Sequence, residues 1–546
     1  MKRLIIILVA LMTISTLILG CGTSKTTTPP ATTTTSTTTK PPVTTTTPTT
    51  TTSTPTITTT STPTTTPAAA PKSGGTLKMI LWASPSGTGG IPGELFGNDF
   101  LSSQHIIEPL LHTDSKGNAI PCLAESFTVA DDLKSITFTL RKGVKFHDGT
   151  DFNATAAKWN LDNIIATHTQ PRWASVDIVD DYTIRLNLNA WSNLIVTGLD
   201  STASWMVSPT AYEKNGQDWA RNNPVGTGPF KFVSFVRDVS YKAVKNPDYW
   251  IPGKPYLDAV EIDYVGDTMT QKADFQSGGA DVLQIEPAKN ASDLKALGFP
   301  EAVTVTSTFC LLPDTIHPDS PFAKKEVREA VEYALDRDSI AKAFSYGFWT
   351  APYQIPAPSS VAYNPNYALA RKFDVAKAKV LMASAGYNGF KATLSVIPVG
   401  IDRNIAVAIQ QNLAEIGITL DINIPAAIPK WLGDSNTLQN ALVLEPVFGP
   451  ANWNGALGLA FDPNMKYQNL VWQRTPEFID LYNATLSSRD MDVSLIQAVV
   501  NYLGQEALAI PVFSGGSGYA YQSYVMGADW NDRAGGWTPE DTWLNK

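Results

Sequence analysis

The stretch Asn223–Trp250 reads NPVGTGPFKFVSFVRDVSYKAVKNPDYW. Pro224 and Pro229 bracket Gly226 and Gly228. Proline fixes φ and glycine permits positive φ, so this sequence predicts a rigid, specific turn. A β-hairpin is expected next. Phe230, Phe232 and Ser234 alternate with Lys231, Val233 and Phe235, while Val239, Tyr241 and Ala243 are expected on one face of the return strand.

Composition sets the outer bounds. A chain of 546 residues is long enough for two or three domains and a large core. It carries 41 Lys and Arg against 50 Asp and Glu, a formal net charge of −9. That balance, with no long cationic run, argues against nucleic acid as a partner, because a phosphate backbone calls for clustered positive charge. Some of the 14 tryptophans are expected on a recognition surface, the majority being core or edge residues.

Residues 1–21 read MKRLIIILVALMTISTLILGC. Lys2 and Arg3 precede a mostly apolar run from Leu4 to Leu19, the layout of a secretory signal peptide or a short anchor. Residues 22–72 are almost entirely Thr, Pro, Ser and Ala. Such a tract cannot bury enough apolar surface to offset chain entropy, so a disordered stalk is expected. At about 3.1 Å per residue in polyproline II it would reach on the order of 150 Å. Its hydroxyls are candidate O-glycan sites by composition alone.

Folded structure is expected to begin near Ser73, with a first strand over Thr76–Ala83 and a Gly/Pro/Ser loop after it. Ile136–Leu140, Asp181–Leu188 and Leu257–Val265 alternate as strands, and Ala157, Leu161 and Ile164 stripe a helix. Ser320-Pro321 predicts an N-cap and first-turn proline for the helix striped by Val327, Ala330, Val331 and Ala334. Ala392–Val399, a helix carrying Ile405, Ile409, Leu413 and Ile416, and Ile418–Ile424 form a βαβ unit, hence a parallel strand pair.

Catalytic signatures are missing. There is no HExxH, Walker A, GxSxG or CxxC pattern. His105, His112, His147, His168 and His317 lie without metal-ligand spacing, and His147, beside Asp148, is read as a turn residue. The expectation is a protein with no enzymatic activity and no cofactor. Cys122 and Cys310 are read as two buried free thiols, the alternative being a disulfide.

Four separated segments carry a family resemblance. They are EPLLHTDSKGNAIPCLAESF (108–127), ITFTLRKGVKFHDGTDFNATAAKWNLD (136–162), the opening stretch, and PFAKKEVREAVEYALDRDSIAKAF (321–344). In order and wording they resemble the family-5 solute-binding proteins of ABC importers, the peptide, nickel and oligosaccharide group, over roughly residues 74–530. The ending Ile18-Leu19-Gly20-Cys21 is similar to a bacterial lipobox, which implies a lipid on Cys21 at the outer face of the cytoplasmic membrane, periplasmic or extracellular. The resemblance implies an α/β, class II clamshell: a first lobe over 73–305 with an inserted subdomain, a second lobe over 306–507, and a return to the first lobe over 508–546. Two loop-like crossovers are expected, near Thr306–Phe309 and Gln505–Pro511.

The implied partners are a small solute, oligopeptide or sugar-like, and a permease with ATPase subunits, the receptor itself acting as a monomer. Peptide-binding members place an aspartate in a W-x-x-D-Y-x-D-P segment against the ligand amine. The matching stretch here, Leu444–Phe461, has Trp453 but no aspartate, and Glu445 is out of place in the pattern. For nickel, His317 is the sole candidate. Residues expected to face the cleft are Trp82, Ser84, Phe309, Trp349, Trp453 and Asn454. The alternatives are a secreted, surface-tethered glycan-binding protein or hydrolase on the Thr/Pro stalk, and a surface sensor.

Overall fold

A computed structural model describes residues 70–546 apart from 95–98, 201–203, 286–287, 399–400, 436, 450–452, 463–472 and 531–536, and apart from the side chains of residues 306, 429, 454, 459 and 517. Cys21 and nearly all of the Thr/Pro tract lie outside the described residues.

The first strand, Thr76–Leu81 (β1), buries Leu77, Met79, Ile80 and Leu81. Burial on both faces is what a central parallel strand requires. The chain then builds a separate antiparallel sheet from Ala124–Val129 (β2), Ser135–Leu140 (β3), Trp173–Asp180 (β4) and Thr183–Leu188 (β5), in the order β2-β3-β5-β4. Helix Ala154–Ala166 (α1) packs on it. The Asn153 side chain caps that helix by accepting from the Ala156 amide. Leu161 and Ile164 are fully buried against Phe138 and Leu186, each worth about 1.5–3 kcal/mol of apolar transfer. Short helix Leu194–Gly198 (α2) follows.

Returning to the main sheet, Phe230–Val236 (β6) and Ser240–Lys245 (β7) form the expected hairpin. Tyr241 and Ala243 are buried, but Val239 stands in the hairpin turn and is exposed. Ala259–Tyr264 (β8) lies parallel to β1 and turns Val260, Ile262 and Tyr264 inward. Val282–Ile285 (β9), buried at all four residues, lies parallel to β1 on its other side. Helix Ala288–Ala296 (α3) leads to the long strand Glu301–Pro313 (β10).

A second unit of sheet and helices continues from there. Its helices are Lys325–Ala334 (α4), Arg337–Phe344 (α5) and Arg403–Ala414 (α6). Its strands are Phe390–Val396 (β11), Ile418–Asn423 (β12) and Ala441–Phe448 (β13), with β11 parallel to both others. The Ser320-Pro321 signal proves to cap a 3-10 turn over Pro321–Ala323, and α4 starts two residues later without a side-chain cap. Helices Trp453–Phe461 (α7), Pro476–Ser487 (α8) and Val493–Gln505 (α9) precede the second long strand, Ile510–Tyr521 (β14).

One ten-stranded sheet, β6-β7-β8-β1-β9-β14-β10-β13-β11-β12, runs through both lobes. The crossover expected as a loop near Thr306–Phe309 therefore lies within strand β10, whereas the one expected near Gln505–Pro511 is a turn over residues 506–509 that leads into β14. The two long strands pair antiparallel from Glu301↔Ala520 to Leu311↔Ile510. Register shifts at Val305/Ser307 and Phe309/Cys310 interrupt that pairing. Bulges of this kind bend and twist a ladder locally. Arg337 donates from Nε to Pro511 O at 2.5 Å, and Arg371 donates to Gly504 O at 2.7 Å and Gln505 O at 3.3 Å. Arg371 also pairs with Glu332 and Glu329 at 2.7 and 2.8 Å. The approach to β14 is thus fastened inside the second lobe.

Three of the four family-like motifs meet in the first lobe. Buried Glu108 accepts hydrogen bonds from Thr227 Oγ1 at 2.7 Å, Tyr249 OH at 2.7 Å and Trp250 Nε1 at 2.9 Å. Burial nevertheless raises its pKa above the usual carboxylate value. Gly226 and Gly228 are not in the positive-φ region. Their role is close approach: a Cβ at Gly226 would stand 2.1 Å from Ile106 O, and one at Gly228 2.7 Å from Ile106 C. His147 joins the same knot, its amide donating to Gly226 O at 2.8 Å and its Nε2 meeting Gly228 O at 2.9 Å. Cys122 and Cys310 are both buried and are not joined in a disulfide.

Candidate functional site

Strand direction locates the site. In the first lobe β1, β8 and β9 are parallel, and β9 ends at Ile285 beside Gly518 of β14. In the second lobe β11, β12 and β13 are parallel, and β13 ends at Phe448 beside Ser307 of β10. The carboxyl ends of both parallel sets therefore point at the middle of the two shared strands. Open α/β sheets bind ligands outside such strand ends, where the strand order switches.

Aromatic side chains line this junction. Phe309 of β10 stacks on Phe513 of β14 with ring centres 4.3 Å apart and planes 11° apart. Trp349 lies 5.6 Å from Phe513. Trp82 follows β1, and its amide reaches Gln284 Oε1 at 3.5 Å. Trp453 opens α7 at 1 % exposure. Ser84 is half-buried beyond Trp82. Asn454 falls in α7 one residue after Trp453, its side chain outside the described residues.

Among the described residues, several buried polar atoms here have no hydrogen-bond partner. They are Ser84 Oγ, Thr308 Oγ1, Trp453 Nε1 and both carboxylate oxygens of Glu445. Glu445 lies on β13 opposite Cys310, and Thr308 lies opposite Val447. Cross-strand partners share a face, so Glu445 and Thr308 point to the same side of the sheet. Burial pushes the Glu445 carboxyl up to about 8, with only Arg474 pulling it down. At neutral pH it is mostly protonated, a neutral acid with donor and acceptor capacity to offer. Unsatisfied polar groups cost about 1–3 kcal/mol each when buried, so a cluster of them is a reason to look for a ligand.

The lobes already touch beside the site. Ile285, Ala288 and Ala291 of the first lobe face Phe348 and Trp349 of the second across Gly516, leaving a residual cavity of about 20 Å³. That holds about one water-sized group. Lys295 Nζ lies 5.5 Å from the Phe348 ring centre across the same seam.

Sequence reading named Trp82, Ser84, Phe309, Trp349 and Trp453, and each lies next to a strand end or a shared strand. It missed Phe513, Thr308 and Gln284. Phe513 was within reach, since it sits in the apolar run IPVF that opens β14. His317 is bound locally, its Nδ1 2.9 Å from Asp314 Oδ1, at the far end of β10 from the junction. His112 pairs with Asp200 at 3.0 Å. Among the described residues no group of three or more His, Cys, Asp or Glu side chains is arranged to hold a metal, and no helix is long and apolar enough to cross a membrane.

Comparison with known proteins fits this geometry. Residues 118–443 match the family model described as bacterial extracellular solute-binding proteins, family 5, middle region. The glutathione-binding protein GsiB of Shigella flexneri is 31% identical over 407 residues, covering 69% of this chain and 79% of that protein. Among solved structures, the binding protein AgaA of A. tumefaciens in complex with agropinic acid is 26% identical, with TM-score 0.71, over 86% of this chain and 99% of that one. The periplasmic binding protein DppA of Helicobacter pylori in complex with the peptide STSA shares the fold, at 23% identity and TM-score 0.72, over 87% and 99% of the two chains. Fold and site define a two-lobed binding protein of the periplasmic type. The chain belongs to the bacterial extracellular solute-binding proteins of family 5.

Proposed function

We propose that this chain captures a peptide or similar small solute between its lobes and delivers it to an ABC importer. A lipid on Cys21 tethers it to the outer face of the cytoplasmic membrane, and the Thr/Pro tract acts as its stalk. The observation that carries the reading is the convergence of both lobes' strand ends on a junction of stacked aromatics and unpartnered buried polar atoms. Two bulges in the shared strands supply the bending points for closure, with the lobe division falling at the Val305/Ser307 shift and just before β14. A ligand drives closure only through its stronger binding to the closed form.

The ligand class follows from Glu445. A solute ammonium placed against it displaces its proton and pairs with the carboxylate, which satisfies both groups in a dry site. The names of relatives support a peptide-sized cargo: one binds glutathione and another was solved with a tetrapeptide. Trp82, Trp349, Trp453 and Asn454 are assigned to the ligand's remaining surface.

Native mass spectrometry of the purified full chain, with a thermal-shift panel of glutathione, tri- and tetrapeptides, disaccharides and Ni²⁺, tests this. Retained peptide masses or a peptide-specific shift support it. A disaccharide-only shift would move the ligand class to sugars. No shift with any probe, together with turnover of a glycan substrate, would replace it with the surface-tethered glycan-binding or hydrolytic alternative. Membrane tethering is checked separately: Cys21→Ser should move the protein from the detergent phase to the aqueous phase.

A further inference from the structure

The two lobes also meet far from the shared strands. Helix α8 of the second lobe stops at Ser487, with Ser488 extended as its C-cap. Ser487 Oγ donates to Ala484 O and Ser488 Oγ to Thr485 O, both at 3.2 Å, and Leu486 O and Ser488 O lie beyond them. Such end groups need outside donors. The inserted subdomain supplies them. Asn193, 4 % exposed, donates its amide to Leu486 O at 3.0 Å. Its Nδ2 donates to Thr485 O at 2.7 Å and to Ser488 Oγ at 3.1 Å, with Asp490 O at 3.4 Å. Trp191 Nε1 donates to Ser488 O at 2.9 Å. In the reverse direction, Arg489 donates to Val129 O at 2.8 Å and meets Asp131 at 3.3 Å.

This contact connects to the candidate site. Leu194 packs against the second-lobe core, 3.6 Å from where a Cβ on Gly458 would stand. Gly458 lies five residues along α7 from Trp453, the residue placed beside the strand ends. One helix thus has Trp453 at the site and Gly458 under the subdomain.

We propose that Trp191–Leu194 and the C-terminal end of α8 form a clasp that holds the lobes together before solute arrives. Two shared strands cannot by themselves set how far a clamshell opens. A second, hydrogen-bonded contact between the lobes does so, and the apparent solute affinity scales with the fraction of molecules it keeps closed. The inference rests on the two-lobed fold and is independent of which solute is bound.

The test is hydrogen exchange with mass spectrometry on the full chain with no solute added, comparing Asn193→Asp with the parent. The substitution keeps the shape but turns the donor into an anionic acceptor at the negative end of α8. The expected result is at least tenfold faster exchange at 189–199 and 485–490, and also at the remote seam, 288–296 and 344–350. A larger radius of gyration by small-angle scattering should accompany it. Faster exchange confined to the two clasp segments would overturn the proposal, because the contact would then be a local feature that does not govern closure. Unchanged exchange everywhere would overturn it too. If Asn193→Asp fails to fold by circular dichroism, Arg489→Asp takes its place: it should loosen the seam, and adding Asp131→Arg should restore it. Failure of that restoration, with the seam unmoved by Arg489→Asp, counts against the clasp equally.

Discussion

Glu108, buried, takes three hydrogen bonds from donors spread over residues 227–250. Glu108→Ala leaves those donors buried without a partner. The expected loss is about 3–5 kcal/mol in urea unfolding, with Glu108→Gln costing less than half of that. His105 poses the opposite problem. It is fully buried among Phe230, Tyr241 and Trp537, neither ring nitrogen has a partner among the described residues, and burial holds its pKa down at about 3. The unfolded chain takes up a proton near 6.5 that the folded chain refuses. Stability from this residue is therefore complete above pH 6.5 and is lost as pH falls toward 3, by up to roughly 5 kcal/mol. His105→Phe should flatten that acid limb in melting temperature measured from pH 7 to 4. Glu445 works in the reverse sense. With its folded pKa raised to about 8, its contribution is complete below about 4.5 and is lost as pH rises through 8. Glu445→Gln should raise melting temperature at pH 8.5 while leaving it nearly unchanged at pH 4.5. A parallel fall at both pH values would show that the carboxyl matters for shape and not for its proton.

At the scale of elements, much of the chain was legible in its periodicity. The hairpin at Phe230, the βαβ unit around Ile405–Ile416 and the inward stripe of Val260, Ile262 and Tyr264 came from spacing alone, because a buried face imposes its period on the sequence. Spacing gave no warning that Gly226 and Gly228 are there to let Ile106 approach. That requirement lives in a segment over a hundred residues away. The first crossover, near Thr306–Phe309, was misread for a related reason. Glu301–Pro313 is apolar and β-branched, but only its partner β14 makes it one continuous strand. Of the site, the aromatics flanking strand ends were readable, whereas Phe513 and Thr308 gained meaning only once β10 and β14 were paired. Arg371 tests the anchoring of that pair. It joins Glu332 and Glu329 to the carbonyls of residues 504 and 505, so Arg371→Ala strips the closest cation from buried Glu332 and leaves it Arg337 at 3.7 Å. A destabilisation of about 3–5 kcal/mol is expected by denaturant melting, whereas Arg489→Ala, at the exposed pair with Asp131, should cost under about 1 kcal/mol.

For the whole molecule, the shared sheet predicts that the lobes do not melt separately. Ten strands in one ladder, with β10 and β14 belonging to both halves, should give a single calorimetric transition, and added solute should shift it intact to higher temperature. Two resolved transitions would mean that the shared strands part before either half unfolds. One further consequence comes from the path of the chain. Gly75 lies against Leu544, a Cβ there standing 3.2 Å from its side chain, so the polypeptide enters and leaves the first lobe at the same spot. The second lobe is a long excursion from a closed circuit. Joining those two points by a short linker and cutting the chain in an exposed turn of the second lobe should leave the fold standing. For the same reason, a pull applied at residue 75 against residue 544 would load the first lobe alone, leaving the second to swing as though nothing were attached.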